Sequence, residues 1–197
     1  SYKKAYKLFE QDAKRGNPRS QHYLGLMCYN GQGVRKNYAQ AAYWYDLAAK
    51  QGLPEAQYRL GMMYKGGLGV KKDDRQATNW LEMASKQGHA DAQYQIGLMY
   101  HNGQGMPQDY MQAACYYELA AKQKFAKAQT ALGLFYADGL GGRPKDIKEA
   151  VSWFDLAANQ GDPQGQYQLG LLYEKGKGVP QNYSMAAHWY KLAARQG

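Results

Sequence analysis

Along this 197-residue chain the apolar positions recur with helical rather than strand periodicity, and the same arrangement returns five times. In Ala56-Gln57-Tyr58-Arg59-Leu60-Gly61-Met62-Met63-Tyr64, the residues Ala56, Leu60, Gly61 and Tyr64 share one face at helical spacing. A second pattern, Ala41-Ala42-Tyr43-Trp44-Tyr45-Asp46-Leu47-Ala48-Ala49, places small residues at Ala41 and Ala48 around Tyr45 in an i, i+4, i+7 rhythm, a face built for close packing. Each unit therefore predicts two helices. Leu24-Gly25, Leu60-Gly61, Ile96-Gly97, Leu132-Gly133 and Leu169-Gly170 recur at spacings of 36, 36, 36 and 37, and Gly16, Gly52, Gly88, Lys124, Gly161 and Gly197 form a parallel ladder. A glycine inside a helix costs about 1 kcal/mol relative to alanine. Its return at one place in every unit implies that a neighbouring helix crosses there too closely for a side chain.

Punctuation between the helices repeats as well. The first helix of each unit stops at Asn30-Gly31-Gln32-Gly33, Gly66-Gly67-Leu68-Gly69, Asn102-Gly103-Gln104-Gly105, Asp138-Gly139-Leu140-Gly141 or Lys175-Gly176-Lys177-Gly178, with glycine available for a left-handed cap. The second helix starts after Asn37, Asp73, Asp109, Asp146 or Asn182, all good N-cap residues. The chain opens on a lone second-type helix, where Tyr2, Ala5 and Phe9 match Tyr38, Ala41 and Tyr45, and closes on Gly197 after another. The fold expected is all-α: a right-handed superhelical α/α solenoid of about five and a half repeats and about eleven helices. It forms one domain over 1–197, with a half repeat at 1–16 and repeats at 17–52, 53–88, 89–124, 125–161 and 162–197. Neither end carries the polar capping helix that repeat arrays need for solubility, so the reading expects a part of a longer protein.

The pattern A-x-Y-x-L-G-x-x-Y, then G-x-G-V, then D/N-Y-x-x-A-x-x-W-Y-x-x-A-A-x-Q-G, resembles the Sel-1-like repeat family, relatives of the tetratricopeptide repeats, from residue 17 to 197. Departures are Cys28 for the usual tyrosine, Asp74 for an aromatic, Tyr116 for the tryptophan and Lys124 for the boundary glycine. The resemblance implies a non-catalytic adaptor of the kind used in signalling, membrane-protein quality control and bacterial host interaction, or an immunity protein that neutralises a secreted toxin. Some cysteine-rich relatives carry a disulfide in every repeat and are linked to β-lactam-type ligands, whereas this chain has only Cys28 and Cys115. Packed helices at 8–10 Å put those two roughly 20 Å apart, beyond the about 7 Å between Cα atoms that a disulfide allows, so two free thiols are expected.

Composition narrows the class further. No segment approaches the roughly 18 consecutive apolar residues of a spanning helix, and the basic start Ser1-Tyr2-Lys3-Lys4-Ala5-Tyr6-Lys7 lacks the apolar run and cleavage site of a secretory signal. Bacterial periplasm and cytoplasm both fit. Lys and Arg number 25 against 16 Asp and Glu, a net +9, with nine basic and three acidic side chains in residues 1–52. That excess favours an acidic partner or acts as a solubilising face.

Candidate chemistry is sparse. The Gly31-Gln32-Gly33 copies follow helices, whereas a dinucleotide fingerprint follows a strand, so they are helix stops. His22, His89, His101 and His188 lie in four different repeats without the converging ligands of a zinc site. No serine, cysteine or carboxylate forms a recognisable nucleophile motif, so no catalytic residue, metal or cofactor is assigned. Trp44, Trp80, Trp153 and Trp189 share one repeat position, as do Gln21, Gln57, Gln93, Gln129 and Gln166, and both sets are assigned to packing between like neighbours, with Trp80 in the interior.

Binding specificity should sit where the units differ. By resemblance to tetratricopeptide repeats, the groove positions on the first helices are Arg19, His22, Leu26 and Tyr29; Glu55, Tyr58, Met62 and Lys65; Asp91, Tyr94, Leu98 and His101; Lys127, Thr130, Leu134 and Ala137; and Gln164, Tyr167, Leu171 and Glu174. Leu26, Met62, Leu98, Leu134 and Leu171 form an apolar stripe and His22, Tyr58, Tyr94 and Tyr167 an aromatic one, which together with Tyr29, Lys65, His101 and Thr130 make the candidate partner-binding groove. Thr130 and His22 at the position of Tyr58 and Tyr94 argue for solvent exposure there. The competing reading is that helix curvature buries the stripe against neighbouring first helices. The function expected is a non-enzymatic protein–protein interaction scaffold holding a peptide or protein in its concave groove, with a bacterial immunity protein as alternative and a cell-wall or β-lactam hydrolase as a third. Nucleic acid is not expected as a partner, since no regular polar code occupies the groove positions.

Overall fold

The computed structural model describes residues 2–196. Among them are eleven α-helices: α1 (Tyr2–Lys14), α2 (Pro18–Asn30), α3 (Tyr38–Lys50), α4 (Pro54–Gly66), α5 (Asp74–Lys86), α6 (Ala90–Asn102), α7 (Tyr110–Lys122), α8 (Ala126–Asp138), α9 (Ile147–Asn159), α10 (Pro163–Lys175) and α11 (Tyr183–Ala194). First-type and second-type helices pair in sequence order and stack as an α solenoid. The chain divides into two compact units, Ser1–Ala92 and Gln93–Gly197. Gly197, the last rung of the glycine ladder, lies outside the described residues.

The starts and stops fall where the punctuation places them. Asn37 accepts from the Gln40 N–H at 3.0 Å, Asp73 from Arg75 and Gln76, Asp109 from Met111 and Gln112, Asp146 from Lys148 and Glu149, and Asn182 from Met185. Each bond satisfies N–H groups that the helix itself leaves open. Gly31, Gly67, Gly139 and Gly176 cap the first-type helices in the left-handed region. Where the boundary ladder carries Lys124 instead of glycine, the backbone still takes φ 64°, the one non-glycine residue in that region among those described.

The interior of unit 1 gathers Leu24, Cys28, Ala41, Tyr45, Ala48, Ala56, Leu60 and Met63. In unit 2, Ala113, Tyr117, Ala128, Leu132 and Phe135 form one cluster and Ala150, Phe154, Leu169 and Trp189 another. The mid-helix glycine is what allows these cores to close. A Cβ on Gly97 would stand 2.7 Å from the Tyr117 ring, and one on Gly25 2.6 Å from that of Tyr45. Leu81, Phe154 and Tyr190 fill the same place opposite Gly61, Gly133 and Gly170. The residue that faces the mid-helix glycine on each second helix is thus the one after the tryptophan position. Trp44 and Trp189 are buried, but Trp80, expected in the interior, and Trp153 are only half-buried, because one step along a helix turns a side chain about 100° away from the glycine.

The repeated glutamines are packing residues of a polar kind. Gln51, Gln87, Gln123, Gln160 and Gln196 donate to Gln21, Gln57, Gln93, Gln129 and Gln166 at 2.6–3.0 Å, each 30 or 31 residues away. Gln21, Gln57, Gln129 and Gln166 in turn donate to the carbonyls of Ala13, Ala49, Ala121 and Ala158 on the preceding second helix. A buried amide with its donor and acceptor both engaged costs little, and it fixes the register of one repeat on the next.

Candidate functional site

The residues proposed for the groove lie on the first helices α2, α4, α6, α8 and α10, and most of them are half-buried. In unit 1, His22 lines a cavity of about 250 Å³ with Arg19, Tyr23, Leu53 and Glu55. Tyr58 stacks on His89 with ring centroids 4.8 Å apart, and Tyr29 meets Tyr38 at 5.0 Å. Leu26, Met62 and Lys65 keep part of their surface open to solvent. In unit 2, Tyr94 packs on Phe125 at 5.3 Å, Leu98 and Leu134 are half-buried, and His101 Nδ1 stands 3.2 Å from the Tyr117 hydroxyl.

The inference that Tyr58 and Tyr94 stand in solvent is corrected by these contacts, and the argument from Thr130 fails with it. Thr130 is 2% exposed, and its hydroxyl donates to the Asp162 carboxylate at 2.7 Å. The same carboxylate caps α10 by accepting from the Gly165 N–H at 2.8 Å. Position by position, His22 shares a cavity with Leu53, Tyr58 stacks on His89, Tyr94 packs on Phe125 and Thr130 bonds Asp162. The partner in each case is the residue that opens the following repeat. Variation at this position goes with variation in what the following repeat brings to it, and at Thr130 the polar residue reports a polar partner rather than water.

Tyr167 is the exception, 49% exposed. With Pro163, Gln164, Leu171 and Glu174 of α10 and Tyr190, Ala193 and Ala194 of α11, it lines a cleft of about 660 Å³. Tyr190 donates its hydroxyl to the Glu174 carboxylate at 2.6 Å, which fixes one wall, and burial together with that carboxylate pushes the phenol up to about 12. Exposed apolar side chains that periodicity did not single out include Tyr23, stacked on Phe9 at 5.1 Å, and Met83, Leu119 and Leu156 at one shared position of the second helices. Their recurrence was visible in the sequence, but their exposure was not.

Among the described residues, the buried side-chain polar atoms without a hydrogen-bond partner are His22 Nδ1, Trp44 Nε1 and the Tyr45 hydroxyl in unit 1 and Trp189 Nε1 in unit 2. The His22 and Tyr45 rings lie 5.5 Å apart. Burial, and then the Arg59 charge, hold His22 below the ordinary histidine range, and burial does the same to His89. Cys28 is buried with its thiol pushed up by desolvation, while Cys115 is exposed, and both are free. Among the described residues no group of three or more His, Cys, Asp or Glu could hold a metal ion, and no helix is long and apolar enough to cross a membrane.

Stacked helix pairs registered by glutamine bonds, with glycine at every crossing, define a helical-repeat solenoid. The Sel1 repeat matches residues 18–53, 54–89, 90–125, 126–162 and 163–197, and the chain belongs to that family. It is similar to a Sel1 repeat protein from Oxalobacter formigenes at 34% identity and TM-score 0.94, over all of this chain and 78% of that one. A protective antigen of uropathogenic Escherichia coli with the same fold is 37% identical, TM-score 0.89, over 96% of this chain and 40% of its own length. An immunity protein from Pseudomonas aeruginosa shares the fold at 19% identity and TM-score 0.60, over 96% of this chain and 72% of that one. No curated protein matches the chain.

Proposed function

We propose that the chain is a non-enzymatic scaffold that binds a peptide or a protein on its first-helix face. The observation that carries this reading is the cleft around Tyr167 and Leu171, whose walls are apolar and whose rim holds Gln164 and Glu174. A concave apolar site with a few polar groups at its edge suits one large anchor side chain of a partner, the kind of contact that dominates interface energetics. Leu98 and Leu134, in the same unit as the cleft, and separately Leu26 and Met62 within unit 1, repeat the apolar chemistry on first helices at half burial.

A narrower second reading is an immunity protein that blocks one toxin enzyme. It is favoured by the fold shared with immunity proteins of Pseudomonas aeruginosa. A photo-crosslinking residue at Tyr167, compared with one at exposed Ser184, tests the scaffold reading. A discrete adduct at Tyr167 that disappears on Leu171→Glu supports it, and equal labelling at both positions overturns it. One partner whose enzymatic activity is abolished on binding selects the immunity reading, several partners select the scaffold, and turnover of a cell-wall or β-lactam substrate replaces both by a hydrolase.

A further inference from the structure

The charge of the chain is concentrated on one edge of unit 1. There the loop after each first helix meets the start of the preceding second helix: Gly33 abuts Tyr2 and Lys3 at the head of α1, and Gly69 abuts Tyr38 and Ala39 at the head of α3. These contacts bring Lys3, Lys4 and Lys7 of α1 together with the loop residues Arg35 and Lys36, and carry the line on through α3 to Lys71, Lys72 and Arg75. All eight side chains are exposed, and among the described residues none of them forms an ion pair with a carboxylate. The corresponding loop dipeptides of unit 2 are Pro107-Gln108, Pro144-Lys145 and Pro180-Gln181, and Arg143 beside the second is held by Glu118 at 2.7 Å.

Within the edge lies a groove of about 660 Å³ lined by Tyr64, Val70, Lys71, Lys72, Asp73 and Gln76. It offers the apolar surface of Tyr64 and Val70 beside two lysines, a combination that fits an apolar side chain next to carboxylates. Asp73 and Asp74 interrupt the basic line. A phosphodiester backbone, with a charge at every nucleotide, meets those carboxylates wherever it tracks the edge, whereas a polypeptide can place its acidic residues at intervals and leave the interruption empty.

We propose that this basic edge of unit 1 docks an acidic polypeptide segment carrying an apolar residue for the Tyr64 and Val70 groove. The proposal concerns the loops and second-helix starts and stands independently of the first-helix cleft. Long-range attraction of this kind acts mainly on encounter and weakens with salt.

The test uses a fluorescent peptide of alternating Glu and Gly with one central Leu, its Leu→Gly variant, a duplex oligonucleotide and phosphatidylserine vesicles. The full chain is compared with Arg35→Glu/Lys36→Glu/Lys71→Glu/Lys72→Glu and with the unit 2 control Lys145→Glu/Lys148→Glu/Lys175→Glu/Lys177→Glu, each checked for an unchanged circular dichroism spectrum. Expected results are salt-sensitive binding of the acidic peptide, a loss of more than tenfold in the unit 1 variant, less than threefold in the control, and several-fold weaker binding of the Leu→Gly peptide. Should the unit 1 variant lose its helical spectrum, the same four positions changed to Gln are expected to give the same ranking. No peptide binding, equal losses in the two variants, or tighter binding of the oligonucleotide or the vesicles overturns the proposal.

Discussion

Ser1–Ala92 and Gln93–Gly197 are built from the same repeat and carry eight carboxylates each, yet fifteen Lys and Arg lie in the first unit and ten in the second. Part of the excess lies at exposed positions, notably Arg35-Lys36 and Lys71-Lys72 ahead of the N-caps, where unit 2 has Pro107-Gln108, Pro144-Lys145 and Pro180-Gln181. At the first-helix position of His22, Tyr58, Tyr94 and Thr130, by contrast, every change is answered by a change in Leu53, His89, Phe125 or Asp162. In a repeat protein, then, a difference between units points to a partner molecule only when no residue of the neighbouring repeat changes with it. A reciprocated difference belongs to packing.

The two units also place different residues opposite the mid-helix glycine, and the largest expected effect lies there. Tyr117 in unit 2 is fully buried and meets Phe135 edge to face at 5.4 Å, whereas in unit 1 Tyr45 takes one of the two corresponding places and Leu81 the other. Tyr117→Ala is expected to cost about 3–5 kcal/mol, and Leu81→Ala somewhat less at about 2–4 kcal/mol, read from urea unfolding. A larger loss for Leu81→Ala would show that the aromatic cluster adds nothing to unit 2.

The glutamine bonds are common to both units and should not distinguish them. Gln57→Ala and Gln129→Ala each remove two hydrogen bonds, one to a carbonyl of the preceding second helix and one from a glutamine of their own repeat, while those partners keep other bonds, so each should cost about 1–3 kcal/mol as the net worth of two bonds. Values that differ by more than the whole of the smaller one would mean that register is enforced differently in the two units.

Acid should separate the units again. His22 and His89 are held below their ordinary 6.5 by burial in unit 1, with Arg59 opposing protonation of both and Glu55 and Asp91 favouring it. The unfolded chain takes up protons at the ordinary value while the folded unit does not. Stability is therefore full above about pH 6.5 and falls as the pH drops below it, until the lower folded values are reached. Unfolding midpoints at pH 7.5 and 5.0 should differ less in His22→Gln/His89→Gln than in the parent chain, and an unchanged difference would move the acid sensitivity to other groups.

The smallest effect concerns the irregular rung in unit 2. Lys124 holds a left-handed backbone that Gly16, Gly52, Gly88 and Gly161 adopt elsewhere. Relief of that strain, partly offset by the greater freedom of glycine in the unfolded chain, should make Lys124→Gly more stable by ~0.5 kcal/mol. A lower melting temperature for this variant would show that the Lys124 side chain contributes more than its backbone costs.

The sequence by itself determined the repeat, the helix pairs, their caps and the crossing at glycine, because these rest on signals within a few residues of one another: i, i+4 faces, a carboxylate or amide two or three residues ahead of an N–H, a glycine past a helix end. It also identified the glutamines as packing residues from recurrence alone. Only the tertiary structure decided that Thr130 lies inside on Asp162, 32 residues away, that Tyr58 and Tyr94 are half-covered rather than free, and that Trp80 and Trp153 flank the interior while Trp44 and Trp189 are buried in it. Likewise, Lys3, Arg35 and Lys71 are scattered in sequence and become one edge because Gly33 and Gly69 seat each loop on the helix before it. The physical reason is common to all of these: burial and proximity between repeats are set by what the next repeat brings to the contact, and a side chain's own local pattern carries no record of it.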